Sequence, residues 1–148
     1  MSVEEKGSPE KRAEEVEMQQ RLADAQELMA QKRWKEALEL LQDTVERCKQ
    51  VSKPLPMTFQ AQIDNVRSIA LKEHGLWDEA EAAATRAVEV ARDDLSLQIK
   101  SYNNLACIRL ARKKDMEAAL QTFRKVVELE ETLPIKDRVY SKPALVNM

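Results

Sequence analysis

Three helical hairpins in series, an all-α architecture, are what this 148-residue sequence predicts. Composition is the first reason. Only 2 Gly and 5 Pro punctuate the chain, aromatics are 4%, and Ala and Glu occur 18 times each. A β-rich fold needs more turn residues and more β-branched or aromatic content. Periodicity is the second, because apolar residues recur in steps of three and four, the mark of one buried stripe per helix. The third is self-similarity. Trp34-Lys35-Glu36-Ala37 returns 43 residues later as Trp77-Asp78-Glu79-Ala80, and 39 residues after that as Met116-Glu117-Ala118-Ala119. At the 39-residue offset, Asn65-Val66 falls on Asn104-Leu105, Ile69 on Ile108, and Arg86-Ala87-Val88-Glu89 on Lys125-Val126-Val127-Glu128. Agreement of apolar positions over so long a span marks a repeat protein.

Each copy reads as two amphipathic helices. In the first, Met18, Leu22, Ala25 and Leu28/Met29 are followed, after a break at Gln31-Lys32-Arg33, by Trp34, Ala37/Leu38, Leu41, Val45 and Cys48. The second has Phe59, Ile63, Val66 and Ala70, then Trp77, Ala80, Ala84, Val88 and Ala91. The third has Leu95, Ile99, Tyr102, Leu105/Ala106 and Leu110, then Met116, Ala119/Leu120, Phe123 and Val127. Pro54 and Pro56 separate the first two copies; a helix cannot run through them. Gly75, after His74, supplies a left-handed helix end inside the second copy. Asp93-Asp94 and Asp115 are placed to cap the helices of the third. Trp34 and Trp77, at the entry to each second helix, are expected to pack between hairpins.

Residues 1–10 carry Gly7, Pro9 and several charges without an apolar stripe, and an acidic, disordered N-terminus is expected there. The repeat domain is then 11–133, with repeats at about 16–51, 57–92 and 95–131. Residues 134–148 form a tail or a short capping helix, in which Ile135, Val139 and Tyr140 are available to cover the last hairpin.

These residues resemble the tetratricopeptide repeat family, over roughly residues 16–131. The family's unit is a hairpin of helices A and B, with a small residue early in helix B and a large one three positions before it. Ala37, Ala80 and Ala119 match the first, and Trp34, Trp77 and Met116 the second. Four residues beyond the Ala, Leu41 and Phe123 match a preference for large side chains, and Ala84 departs from it. Offsets of 43 and 39 exceed the usual unit of 34. Together with Tyr102-Asn103-Asn104-Leu105-Ala106, they look like the longer units of the kinesin-light-chain-like branch. The resemblance implies a short right-handed solenoid that works as a protein–protein interaction module. Its concave groove of first helices would hold a peptide segment of a partner.

Catalysis finds little support. The single His74 sits at a helix end, no phosphate-cradling glycine motif occurs, and Cys48 and Cys107, 59 positions apart, fit no metal or redox spacing. Glu128, Glu130 and Glu131 read as a solvated helix face. No enzyme activity, cofactor or metal is therefore expected. A net charge of −2 argues against nucleic acid, and no apolar run reaches the roughly 18 residues of a membrane helix. A cytoplasmic protein fits best, with nuclear or cytoskeletal association left open.

Asn side chains suit peptide binding, because one amide both donates to and accepts from a backbone. Asn65 and Asn104 are repeat equivalents and Asn103 adjoins the latter; with Lys72, Ser101 and Arg112 they are the candidate groove residues, and Arg67 and Arg109 lie nearby. The alternative is a structural subunit or assembly factor of a larger complex, held through flanks and tails. A homodimer through the end hairpins also stays open.

Overall fold

The computed structural model describes residues 9–51 and 55–141. Among them are six α-helices: α1 (Pro9–Ala30), α2 (Trp34–Cys48), α3 (Met57–Glu73), α4 (Trp77–Val90), α5 (Leu95–Arg112) and α6 (Met116–Glu130). A single 3-10 turn, Ile135–Asp137, follows. Residues 1–8, 52–54 and 142–148 lie outside the described residues, so the expectations for the extreme N-terminus, for Pro54 and for the end of the tail go no further.

Three hairpins result because each turn is short and fixed by a left-handed residue. The N–H groups of Arg33 and Leu76 each bond a carbonyl five residues back, on Leu28 and Leu71, both at 2.9 Å. Those of Lys32 and Gly75 bond Met29 and Lys72 at 2.9 and 3.0 Å. Together they make the Schellman helix ending, whose penultimate residue must take positive φ. Gly75 has φ 83°, as its lack of a side chain allows, while Lys32 adopts φ 61° at the equivalent place. Lys113 does the same at φ 58°, its N–H bonding the Arg109 carbonyl at 3.3 Å. The Asp94 and Asp115 carboxylates accept the N–H groups of Leu97 and Ala118 at 3.1 and 3.0 Å, which starts α5 and α6.

Stacking is one-dimensional. Consecutive helices pack in order, and α3 also lies against α1 and α5. Among the described residues no contact skips a repeat, so each hairpin buries its apolar faces only on its neighbours. Ala37, Ala80 and Ala119 are essentially fully buried, letting the helices of each hairpin approach closely. One core joins Met18, Leu22 and Leu41 to Phe59, Ile63 and Val66. A second joins Leu71, Ala84 and Val88 to Leu105 and Ile108, with Trp77 packed against it. Ion pairs set the register between helices. Arg47 forks onto Glu17 at 3.1 and 3.3 Å, tying α2 to α1, and Arg86 forks onto Asp64 at 3.1 Å twice, tying α4 to α3. The Arg47 guanidinium, helped by Arg21, holds the Glu17 carboxyl below its ordinary value.

The last hairpin departs from the sequence expectation. The buried residues of α6 are Ala119, Thr122, Val126 and Glu130. Met116, Leu120 and Val127, expected in the buried stripe, are 52%, 46% and 40% exposed, and Phe123 is half-buried. The reason is that no seventh helix follows among the described residues, so positions that meet the next repeat in hairpins one and two face outward. Glu130, expected on a solvated face, is only 1% exposed. It accepts hydrogen bonds from the Val139 N–H at 2.8 Å, the Tyr140 N–H at 3.0 Å and the Ser141 hydroxyl at 2.7 Å. The tail is therefore held by polar contacts, while Ile135, Val139 and Tyr140 remain exposed.

Candidate functional site

The parallel pair α3 and α5 contains the features that most need explanation. Ala61 of α3 and Leu97 of α5 share an apolar cluster with Ala91. Further along, Leu71 of α3 shares another with Leu105 and Ile108 of α5. Between these two apolar ends lie four polar residues at helical spacing. Asn65 and Ser68 follow Ala61 by four and seven positions, and Ser101 and Asn104 follow Leu97 by the same steps. Residues so spaced lie on one helix face. A polar layer thus sits inside the seam.

The layer is incompletely paired. Ser68 and Ser101 are fully buried, and their hydroxyls donate to the carbonyls of Asn65 and Leu97 at 2.7 and 2.9 Å. Asn65 is 4% exposed, yet neither its Nδ2 nor its Oδ1 has a hydrogen-bond partner, and the Nδ2 of Asn104 is likewise buried and unpaired. A buried polar group without a partner costs about 1–3 kcal/mol. Asn103 and Asn104 are half-exposed, and Asn103 Nδ2 makes a long contact of 3.8 Å to Cys107 Sγ.

The other candidates go elsewhere. Lys72, half-buried, pairs with Glu73 at 3.4 Å. Arg112 is committed to Asp78 and to Glu81, the latter at 3.1 Å, both on α4. Arg109 bonds Glu81 at 3.1 Å and the Thr122 hydroxyl at 2.7 Å, joining α5 to α4 and α6. The structure therefore brings Asn65, Ser101 and Asn104 together with Asn103 alongside, and places Arg112 on the side of the second helices. There it helps line a cleft of ≈ 960 Å³ between α4 and α6, with Thr85, Glu89 and Lys114. A second cleft, ≈ 690 Å³, lies between α2 and α4 over Ile63, Asp64 and Arg67. Sequence reasoning missed both, because they are gaps between helices that belong to different repeats.

No reactive centre emerges from the thiols. Burial pushes the Cys48 thiol above its ordinary value despite the opposing charge of Arg21, and both Cys48 and Cys107 are free. Among the described residues, no group of three or more His, Cys, Asp or Glu is arranged to hold a metal ion, and no helix is long and apolar enough to cross a membrane.

A stack of helical hairpins, closely crossed at small residues and joined only to its neighbours, defines a helical-repeat protein. Residues 25–54, from late α1 through α2 and into the following link, match the family model of the tetratricopeptide repeat. The match spans a single repeat, and the six helices stack as an all-α, tetratricopeptide-like solenoid; the repeats of that family mediate protein–protein interaction. No curated protein and no solved structure gives a match.

Proposed function

We propose that this chain is an adaptor that holds a peptide segment of a partner protein against the face of its first helices, α1, α3 and α5. The observation that carries the reading is the polar layer of the α3–α5 seam. Three of its amide atoms, on Asn65 and Asn104, lack partners. The half-exposed Asn103 and Asn104 open that layer toward solvent. These atoms are buried, so a peptide backbone laid along the seam supplies the donors and acceptors they lack once the side chains turn toward it, and that turn repairs a cost already present in the free protein. Lys72 adds a cation near the end of α3 for an acidic group of the partner. The long-unit, kinesin-light-chain-like character belongs to this reading and is supported by the 17 and 18 residues of α3 and α5.

The second reading is a structural subunit held through its flanks, and the exposed Met116, Leu120 and Val127 of α6 favour it. One experiment separates the two. The tagged chain is purified from its native cells with quantitative mass spectrometry, beside the Asn65→Ala/Asn104→Ala variant and a truncation at residue 134. Thermal melting establishes that each variant folds. Groove binding requires the double Asn variant to lose partners that the truncation retains. The reverse pattern establishes the flank reading and removes the groove.

A further inference from the structure

The outward face of α6 is built like the faces that receive a helix in the first two repeats. Val45 packs against the core containing Phe59 and Ile63 of the following repeat, and Val88 belongs to the core containing Leu105 and Ile108. Their equivalent in the third repeat is Val127, 40% exposed. Leu38 packs against both cores and Trp77 against the second; their equivalents Leu120 and Met116 are 46% and 52% exposed. With the half-buried Phe123, these residues follow one another in steps of four, three and four. They form a charge-free line along about 16 Å of helix. Val139 and Tyr140, pinned beside its end by Glu130, are also exposed. A continuous apolar face of this kind marks an interaction site.

Beside the line runs an exposed row of charges: Lys113, Glu117, Arg124, Glu128 and Glu131. By the 100° advance per residue, Glu117, Arg124, Glu128 and Glu131 lie on the same flank of the stripe, while Lys113 belongs to the turn before α6. We infer that this face pairs two copies of the chain, α6 against α6, antiparallel about a two-fold axis between residues 121 and 122. In that register Met116 meets Val127 of the second copy and Leu120 meets Phe123 of the second copy. The charged flank meets itself, Glu117 opposite Arg124 of the second copy. Every residue of the stripe finds an apolar one and Glu117 finds an opposite charge, each contact occurring twice as an isologous interface requires. A parallel pairing, whose two-fold runs along the helices, instead turns the charged flanks to opposite sides, so Glu117 and Arg124 find no partner in the second copy. Head-to-tail stacking onto α1 meets little apolar surface, since among the described residues Val16 is the only large hydrophobic residue exposed on that helix, and such stacking would not close.

The test is the mass of the full chain by light scattering and sedimentation velocity, from about 1 to 200 μM, the range for a small interface. The expected result is a shift from 17.0 kDa to twice that value as concentration rises. Leu120→Glu and Val127→Glu, both at exposed positions that leave the fold intact by circular dichroism, stay monomeric throughout. Glu117→Arg weakens dimerisation about tenfold, and the swapped double variant Glu117→Arg/Arg124→Glu restores it. A monomer at every concentration overturns the inference, whatever else covers the stripe. So does a dimer that survives Leu120→Glu, or a charge swap that fails to rescue.

Discussion

The carboxylate of Glu130, at the last position of α6, accepts the backbone N–H of Val139 at 2.8 Å. Its repeat equivalents are Cys48 and Ala91. Cys48 packs against the core shared with the second repeat, and Ala91 against Leu97 of the third. In the third repeat the same position holds an acid, and the acid gathers tail backbone in place of a helix. The Arg138 guanidinium completes the ending by donating to the carbonyls of Leu133 and Glu131 at 3.0 and 3.3 Å.

Burial alone pushes the Glu130 carboxyl up. The N–H groups of Val139, Tyr140 and Ser141, with the Ser141 hydroxyl, outweigh it and hold the group below its ordinary value. A depressed folded-state value contributes stability above the unfolded carboxylate value, and that contribution is lost as pH falls through the folded one. Acid titration is therefore expected to release the tail below the ordinary carboxylate range, before the repeats unfold. Hydrogen exchange at Val139 and Tyr140 follows this directly. Glu130→Gln, with its neutral acceptor, should lose about 1–3 kcal/mol of tail attachment at neutral pH and flatten the acid dependence. Exchange at these two amides unchanged by the substitution contradicts the latch.

Backbone conformation at the hairpin turns supplies a second prediction. Lys32 and Gly75 occupy equivalent left-handed positions, at φ 61° and 83°. A Cβ at Gly75 would meet no atom within 4 Å, so the cost of Gly75→Ala is conformational rather than steric. It is expected to destabilise by about 1–2 kcal/mol. Lys32→Gly removes the same strain and should stabilise by up to about 1 kcal/mol, after the added entropy of the unfolded glycine is subtracted. Chemical denaturation of the two variants must show opposite signs.

Capping gives a third. Removing the Asp94 or Asp115 carboxylate leaves an N–H of the first turn of α5 or α6 without its side-chain partner. Asp94→Ala and Asp115→Ala are each expected to cost about 1 kcal/mol, seen as a fall of roughly 2–4 °C in Tm. Arg33 and Leu76 precede α2 and α4 without a side-chain cap, so Arg33→Ala tests the contrast. It should cost well under half as much.

The unpaired amide of Asn65 gives a fourth. Asn65→Leu, close in volume and apolar, removes two buried polar atoms that have no partner. It should raise stability by about 1–3 kcal/mol and weaken capture of a partner bound along the first helices. Greater stability with unchanged binding would separate the polar layer from function. A loss of stability would mean that the amide is already satisfied.

Most of the architecture was legible because it depends on local order. Alternation of small and large residues at Trp34 and Ala37, Trp77 and Ala80, and Met116 and Ala119 announces the hairpin crossing. The caps at Asp94 and Asp115 and the left-handed turn at Gly75 are equally local signals. The turns at Lys32 and Lys113 were not legible, since nothing in a lysine advertises positive φ; the demand comes from the hairpin as a whole. The candidate site was legible in part. Asn65 and Asn104 stood out through their equivalence, but Ser101 proved to be buried and bonded within its own helix, and Arg112 to be held by α4. One-dimensional spacing gives the face of a helix, not which neighbouring helix that face meets.

By itself the sequence determined that the chain is helical, that its unit is a hairpin, and that the hairpin is repeated. These follow from the period of apolar residues and from short-range capping, which act within a few residues. Only the tertiary structure decided which stripes are covered. Val45, Val88 and Val127 occupy one repeat position, yet the first two lie in or against cores and the third faces outward. It also decided that two acids among many, Asp64 and Glu130, are withdrawn from water. Burial depends on what the next element supplies, and a residue's own identity carries no record of its neighbour.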